Sequence, residues 1–215
     1  MLMSKTYVWD PLVRLFHWTL VVAFVVAYAS GEDESFVHTN SGYLVLGLIL
    51  TRIIWGFIGT RHARFSDFIY SPAEAARYLR DLFSNKPDIK RYLGHSPAGG
   101  MMVFALLISL LLTIYSGLKL EAVEGRGLLA QTPAVMMPES NFLVATAQAD
   151  EREHDDDGHD GHGREGEGED FWEEVHEFFA NFTLLLVFLH VGGVIFSGLR
   201  HNENLVRAMF TGYKK

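Results

Sequence analysis

The chain contains no cysteine at all. That absence excludes disulfides, zinc thiolate sites and iron–sulfur clusters, and it excludes haem attached covalently through a C-x-x-C-H motif. Charge is missing as well, over long stretches. Pro97 to Leu118 and Phe178 to Leu199 are each twenty-two residues without a formal charge, and only His190 in the second can titrate. A run of that length can cross a bilayer as a helix. The N-terminal MLMSKTYVWDPLVRLFHW lacks a small-residue cleavage site after its apolar run, so the first span reads as a retained anchor.

What is present falls into blocks. Leu15 to Ser30 and Thr39 to Gly59 add two further spans, the second interrupted by Arg52, which makes four. The expected class is an all-α integral membrane protein, a four-helix bundle with an amphipathic helix at about 72–84 and an acidic insert at 119–170, largely disordered. Residues 1–118 hold the first three spans and 171–215 the fourth with its tail, all in one membrane domain. Placing both termini and the loop between spans two and three inside puts 14 of the 18 Lys and Arg there, but only 6 of the 26 Asp and Glu. By the positive-inside rule both termini face the cytoplasm, as expected for a multi-pass protein of a bacterial inner membrane.

Histidine placement carries the chemistry. His176 and His190 lie fourteen residues apart on the last helix. At about 100° and 1.5 Å per residue they share nearly one face and differ in height by about 21 Å, a large part of a hydrocarbon core about 30 Å thick. His17 lies near the inner end of span one and His38 near the outer start of span two. The depths match in pairs, His17 with His190 and His38 with His176. Two imidazoles at each of two levels suit bis-histidine haem iron better than four isolated core histidines.

Other residues keep two readings at this point. Ser41, Gly42, Gly47, Gly192 and Gly193 either let a flat macrocycle approach or let helices pack. Arg52 either pairs with a haem propionate or snorkels to lipid phosphate. His95, at the mouth of span three, suits a propionate, a quinone headgroup or a helix-capping role. His62 reads as solvated or facing headgroups, and His201 as structural. In the loop between spans two and three, Ser71, Pro72 and Glu74 form a capping-box signature, and Ala75, Leu79 and Leu82 recur on one face, as for a helix lying on the inner membrane surface. In the insert, EREHDDDGHDGHGREGEGED carries His154, His159 and His162 among carboxylates, which either bind divalent metal loosely or merely solvate. An acidic outer loop also suits a basic soluble redox protein, such as an extracytoplasmic c-type cytochrome.

The motifs RLFHW, His38 followed by Gly42, RIIWGFIGTRHARF, GHSPAGG, the His176 and His190 pair, and NLVRAMFTGYK together resemble the bacterial four-helix b-type cytochromes. That group includes cytochrome b-561 and the cytochrome b subunit of nickel–iron hydrogenases. The resemblance covers nearly the whole chain outside the insert. It implies two non-covalent haems b on the histidines of spans one, two and four, with His17, His38, His176 and His190 at the ligand positions. It also implies electron transfer between a membrane quinone pool and a redox partner such as a hydrogenase or dehydrogenase subunit. Glu173, Glu174 and Glu177 beside His176 would favour the oxidised form of the outer haem. An oxidoreductase acting alone on quinone or superoxide, and a divalent metal carrier, are the competing readings. The metal carrier suffers from spans almost free of carboxylates. Nothing points to nucleic acid, and the sequence leaves a homodimer open.

Overall fold

The computed structural model describes residues 6–31, 35–84, 90–130 and 162–214, with side chains from residue 168 onward in the last of these. Glu32, Asp33, Glu34, His154, His159 and the side chain of His162 lie outside the described residues, as does most of the insert, residues 131–161.

Helix α1, Pro11–Ala29, starts where local chemistry requires it to. The Asp10 carboxylate accepts the Val13 amide at 2.9 Å, satisfying one of the amides left open at a helix start. Pro11 sits at the first helical position, where its missing N–H costs nothing. Helix α2, Phe36–Ile58, is capped by Ser35, and helix α3, Pro72–Phe83, by the expected capping box of Ser71 and Glu74. The remaining helices are α4, Pro97–Val123, α5, His162–His201, and the short α6, Leu205–Thr211. Four of these, α1, α2, α4 and α5, are long and apolar enough to cross a membrane. The protein is an all-α integral membrane bundle. Both α4 and α5 continue as helix into residues assigned to the insert, to Val123 on one side and from His162 on the other.

Two compact units make up the chain, Met1–Ile114 with Phe178–Lys215, and Tyr115–Glu177. Within the first, α1, α2 and α4 meet at a core of Ala23, Val45, Ile49, Leu107 and Leu110. The α5 helix joins through the Ser109 and Thr183 hydroxyls, 2.6 Å apart and both buried. Such a bond between apolar helices is worth about 0.6–2 kcal/mol and fixes register as well as adding stability.

The α3 helix departs from expectation in its facing. Ala75, Tyr78 and Leu82 are buried, while Leu79 is 41% exposed. Tyr78 decides the rotation, because its hydroxyl lies 3.3 Å from His201 Nε2 and 3.4 Å from Ser197 Oγ on α5. Arg200 adds two bonds, donating to the Leu82 carbonyl at 3.1 Å and to the Ser84 carbonyl at 2.6 Å. The buried face of α3 is therefore covered by α5 and not by lipid headgroups.

A small sheet also forms that helical periodicity gives no hint of. Strand β1, Thr6–Tyr7, pairs antiparallel with β2, Tyr213–Lys214. Gly212 makes the turn possible: its φ is +83°, a left-handed conformation, and a Cβ there would sit 2.8 Å from the Trp9 carbonyl oxygen. Glu203 fastens this end further, accepting from Arg91 at 2.5 Å and lying 3.4 Å from Lys214 Nζ. Burial pulls the Lys214 ammonium below its usual range, and Glu203 opposes the shift.

Candidate haem site

His17 on α1 and His190 on α5 are brought together, with ring centroids 6.5 Å apart and planes inclined at 54°. Two nitrogen–metal bonds of about 2 Å, plus a ring radius of about 1.1 Å on each side, would give about 6.2 Å for imidazoles sharing one metal. The observed spacing is close to that sum, and it is too long for a ring-to-ring hydrogen bond. Trp18 packs edge-on to His17 at 5.1 Å and stacks on Phe210 at 4.2 Å, so aromatic contacts hold the His17 ring in place.

His38 is oriented differently. Its Nδ1 lies 2.8 Å from the Ala27 carbonyl oxygen, which can only accept. Nδ1 therefore carries a proton and donates it to that carbonyl. Ala27 is in the last turn of α1, where carbonyls lack helical partners, so the helix end supplies the acceptor. This is the arrangement in which metal-bound histidines are held by an outer partner.

In the second unit, His176 Nδ1 lies 3.2 Å from Ser116 Oγ. Beside it, a Cβ on Gly117 would sit 3.0 Å from the ring's Cε1 and 3.1 Å from its Nδ1. A Cβ there would make the imidazole give way by a few tenths of an ångström, so glycine suits the ring's close approach to the α4 backbone. Neither Ser116 nor Gly117 stands out in the sequence, because small residues are common in membrane helices. The signal available was their place in a span that contributes no histidine of its own.

Glycines singled out beforehand behave in a more telling way. At Gly42, Gly47, Gly192 and Gly193 a Cβ would meet no protein atom within 4 Å, so helix packing does not require glycine there. Among the described residues, no three His, Asp or Glu side chains gather as a metal-ion site.

At the end that carries β1 and β2, two uncertain residues resolve. Arg52 is 4% exposed and does not snorkel. Its guanidinium carbon lies 4.9 Å from the Phe65 ring and 5.9 Å from that of Phe68. Phe65 can take that place because Gly56, one turn beyond Arg52, has no Cβ; one built there would fall 2.1 Å from the ring. His95 packs on Phe68 at 4.3 Å and on Trp9 at 4.8 Å. Burial, reinforced by the Arg52 charge, pushes its imidazole down to about 3, so it stays neutral. Ser96 takes the helix-start role beside it, accepting the Gly99 amide at 3.2 Å.

Asp10 ties this end together, accepting from Trp55 Nε1 at 3.2 Å and Thr60 Oγ1 at 2.5 Å. Burial makes the carboxyl a weaker acid, but these bonds and the Val13 amide outweigh that and hold it below the usual carboxylate range. His62, expected to be solvated, instead pairs with Asp67 at 2.8 Å with its side chain 20% exposed. His201 is structural, bonded to Tyr78.

The family model for prokaryotic cytochrome b561 matches residues 8–212, from the β1 end to the Gly212 turn. The chain belongs to the prokaryotic cytochrome b561 family. A b-type haem is implied by that membership, and the histidine pair is of a kind to hold one. Among curated relatives are proteins named "Probable Ni/Fe-hydrogenase B-type cytochrome subunit". The one from Cupriavidus necator is 30% identical over 58% of this chain and 60% of its own length. That from Bradyrhizobium diazoefficiens is 25% identical over 57% and 60%, and that from Azotobacter vinelandii 24% over 49% and 54%. The chain thus spans between half and two thirds of the relatives it matches. No solved structure matches it.

Proposed function

We propose that this b561-family chain is a membrane electron carrier with two non-covalent haems b, one on His17 and His190 and the other on His38 and His176. The observation that carries the reading is the 6.5 Å spacing of the His17 and His190 rings, which suits two axial ligands of one iron. Support for the second pair is the Nδ1 partner on each member, Ala27 carbonyl for His38 and Ser116 hydroxyl for His176, which fixes the orientation of each ring. Haem b supplies one-electron transfer, and the protein tunes it through axial ligands, burial and nearby charge.

Electrons would pass between a quinone in the bilayer and a redox partner protein. The names of the relatives favour a hydrogenase as that partner. The acidic stretch before α5 favours instead, or in addition, a basic soluble carrier such as a c-type cytochrome on the outer side. Both termini would be cytoplasmic in a bacterial inner membrane. The β1–β2 pairing supports this by holding residues near both ends side by side, where basic residues concentrate.

A reduced-minus-oxidised spectrum of the purified protein, with haem measured per chain, tests the reading. Two haems b per chain with six-coordinate low-spin bands are expected. A colourless preparation from haem-replete cells would end it, and one haem per chain would end the second pairing.

A further inference from the structure

Five buried side-chain nitrogens among the described residues have no hydrogen-bond partner: Arg14 Nε, His17 Nδ1, Trp18 Nε1, Arg52 NH1 and His95 Nδ1. All five belong to the first unit, on the early part of α1, the late part of α2 and the residue pair preceding α4. Three of them, on Arg14, Trp18 and Arg52, can only donate, and a neutral imidazole can donate one proton. Native proteins rarely leave buried donors unmatched, since each costs about 1–3 kcal/mol. An acceptor from outside the chain is the simple resolution.

The strongest of these groups is Arg52. It is a full charge in an apolar span, 4% exposed, with aromatic rings on its guanidinium and NH1 unmatched. Asp10, the nearest carboxylate acting on it, is already occupied by Val13, Thr60 and Trp55. His95 contacts the same Phe68 ring that flanks Arg52, and feels the charges of both Arg52 and His190. The residue as a whole keeps some exposure, but its Nδ1 is sealed. The arrangement is a one-charge, two-donor cradle for an anion.

We propose that Arg52 and His95 bind a carboxylate, and that it is a propionate of the haem held by His17 and His190. The inference rests on the haem reading given above. Arg52 supplies the charge and His95, being neutral, a single N–H. The alternative source of the same anionic chemistry is a lipid phosphate. A propionate neutralised by Arg52 leaves the iron in a more positive surrounding, which favours the reduced form. Arg52 acts here as a positioning and tuning residue.

The experiment uses the full-length haem-loaded protein and its variants Arg52→Gln, Arg52→Lys and His95→Leu, with exposed Arg77→Gln as control. Haem per chain and equilibrium redox titration of the absorbance bands are read together, and tightly bound lipid is counted by native mass spectrometry. Arg52→Gln should lower one of two midpoint potentials and leave the other in place. Arg52→Lys should recover part of the shift, His95→Leu should show a smaller shift of the same midpoint, and Arg77→Gln none. In a His17→Ala background, where only the other haem remains, Arg52→Gln should have no effect. If Arg52→Gln does not accumulate, His95→Leu and reconstitution with haem dimethyl ester, which lacks the propionate charge, replace it; the ester leaves Arg52 uncompensated and should raise the same midpoint, by more than the other. Unmoved midpoints, a shift in the haem that survives His17→Ala, or loss of a retained phospholipid from Arg52→Gln with midpoints intact would each overturn the proposal. Fewer than two haems in the unmodified protein would overturn the underlying reading instead.

Discussion

The two proposed ligand pairs are held in contrasting ways. His38 and His176 are each aimed by a hydrogen bond at Nδ1, to the Ala27 carbonyl and to the Ser116 hydroxyl. His17 is aimed by aromatic packing, with Trp18 and Phe210 around it and its own Nδ1 without a protein partner. A hydrogen-bonded imidazole is the more basic ligand and stabilises ferric iron. A packed imidazole has no such help. The difference implies a lower potential for the His38 and His176 haem and a higher one for the His17 and His190 haem, reinforced by the exposed Glu173, Glu174 and Glu177 near His176.

The sharpest break of that contrast is removal of a ligand. His17→Ala or His190→Ala should eliminate the higher-potential haem and keep the lower, and His38→Ala or His176→Ala should do the reverse, each halving the haem measured per chain. Gly117→Leu should resemble His176→Ala in haem content, because its side chain must occupy the place of the ring, while Gly117→Ala should give partial occupancy. Asp10→Ala removes an N-cap and takes the acceptor away from the Trp55 and Thr60 donors. A loss of about 1–3 kcal/mol in a denaturation assay is expected, with haem spectra unchanged in the protein that remains folded. Ser116→Ala should weaken retention of the lower-potential haem about 10–100-fold and raise its potential, seen in a haem-transfer assay and a redox titration. An unchanged potential would remove the hydrogen bond as the source of the difference.

The smallest effect concerns pH. His95 is held neutral down to about 3 in the folded protein, against 6.5 for an ordinary imidazole. Between those values the unfolded chain binds a proton that the folded protein does not, so stability falls as pH falls from 6.5 towards 3. His95→Leu should flatten the fall in thermal midpoint over that window. Equal slopes in both proteins would show that the burial of His95 contributes nothing to acid sensitivity.

Most of the framework was legible from residues, for definite reasons. A span announces itself by missing charge, so α1, α2, α4 and α5 were visible, and the capping box of α3 is a local signal. The proposed pairing of histidines by depth came from helix rise and rotation, and of the two pairs the structure sets His17 beside His190. Where long-range contacts decide, the sequence was silent. The rotation of α3 depends on Tyr78 finding Ser197 and His201 far along the chain, which placed Leu79 outside and not in the core face. Gly56 and Gly117 were passed over because a glycine's partner, here Phe65 or His176, is not encoded nearby. Arg52 kept two readings until burial separated them, and the His62–Asp67 pair required a turn whose geometry composition does not reveal.

The antiparallel contact of Thr6–Tyr7 with Tyr213–Lys214 also constrains biogenesis. The Thr6–Tyr7 strand has to wait, unpaired, until Tyr213–Lys214 has been made, and in the proposed pairing His17 waits similarly for His190. Loading of a porphyrin there would therefore follow insertion of α5.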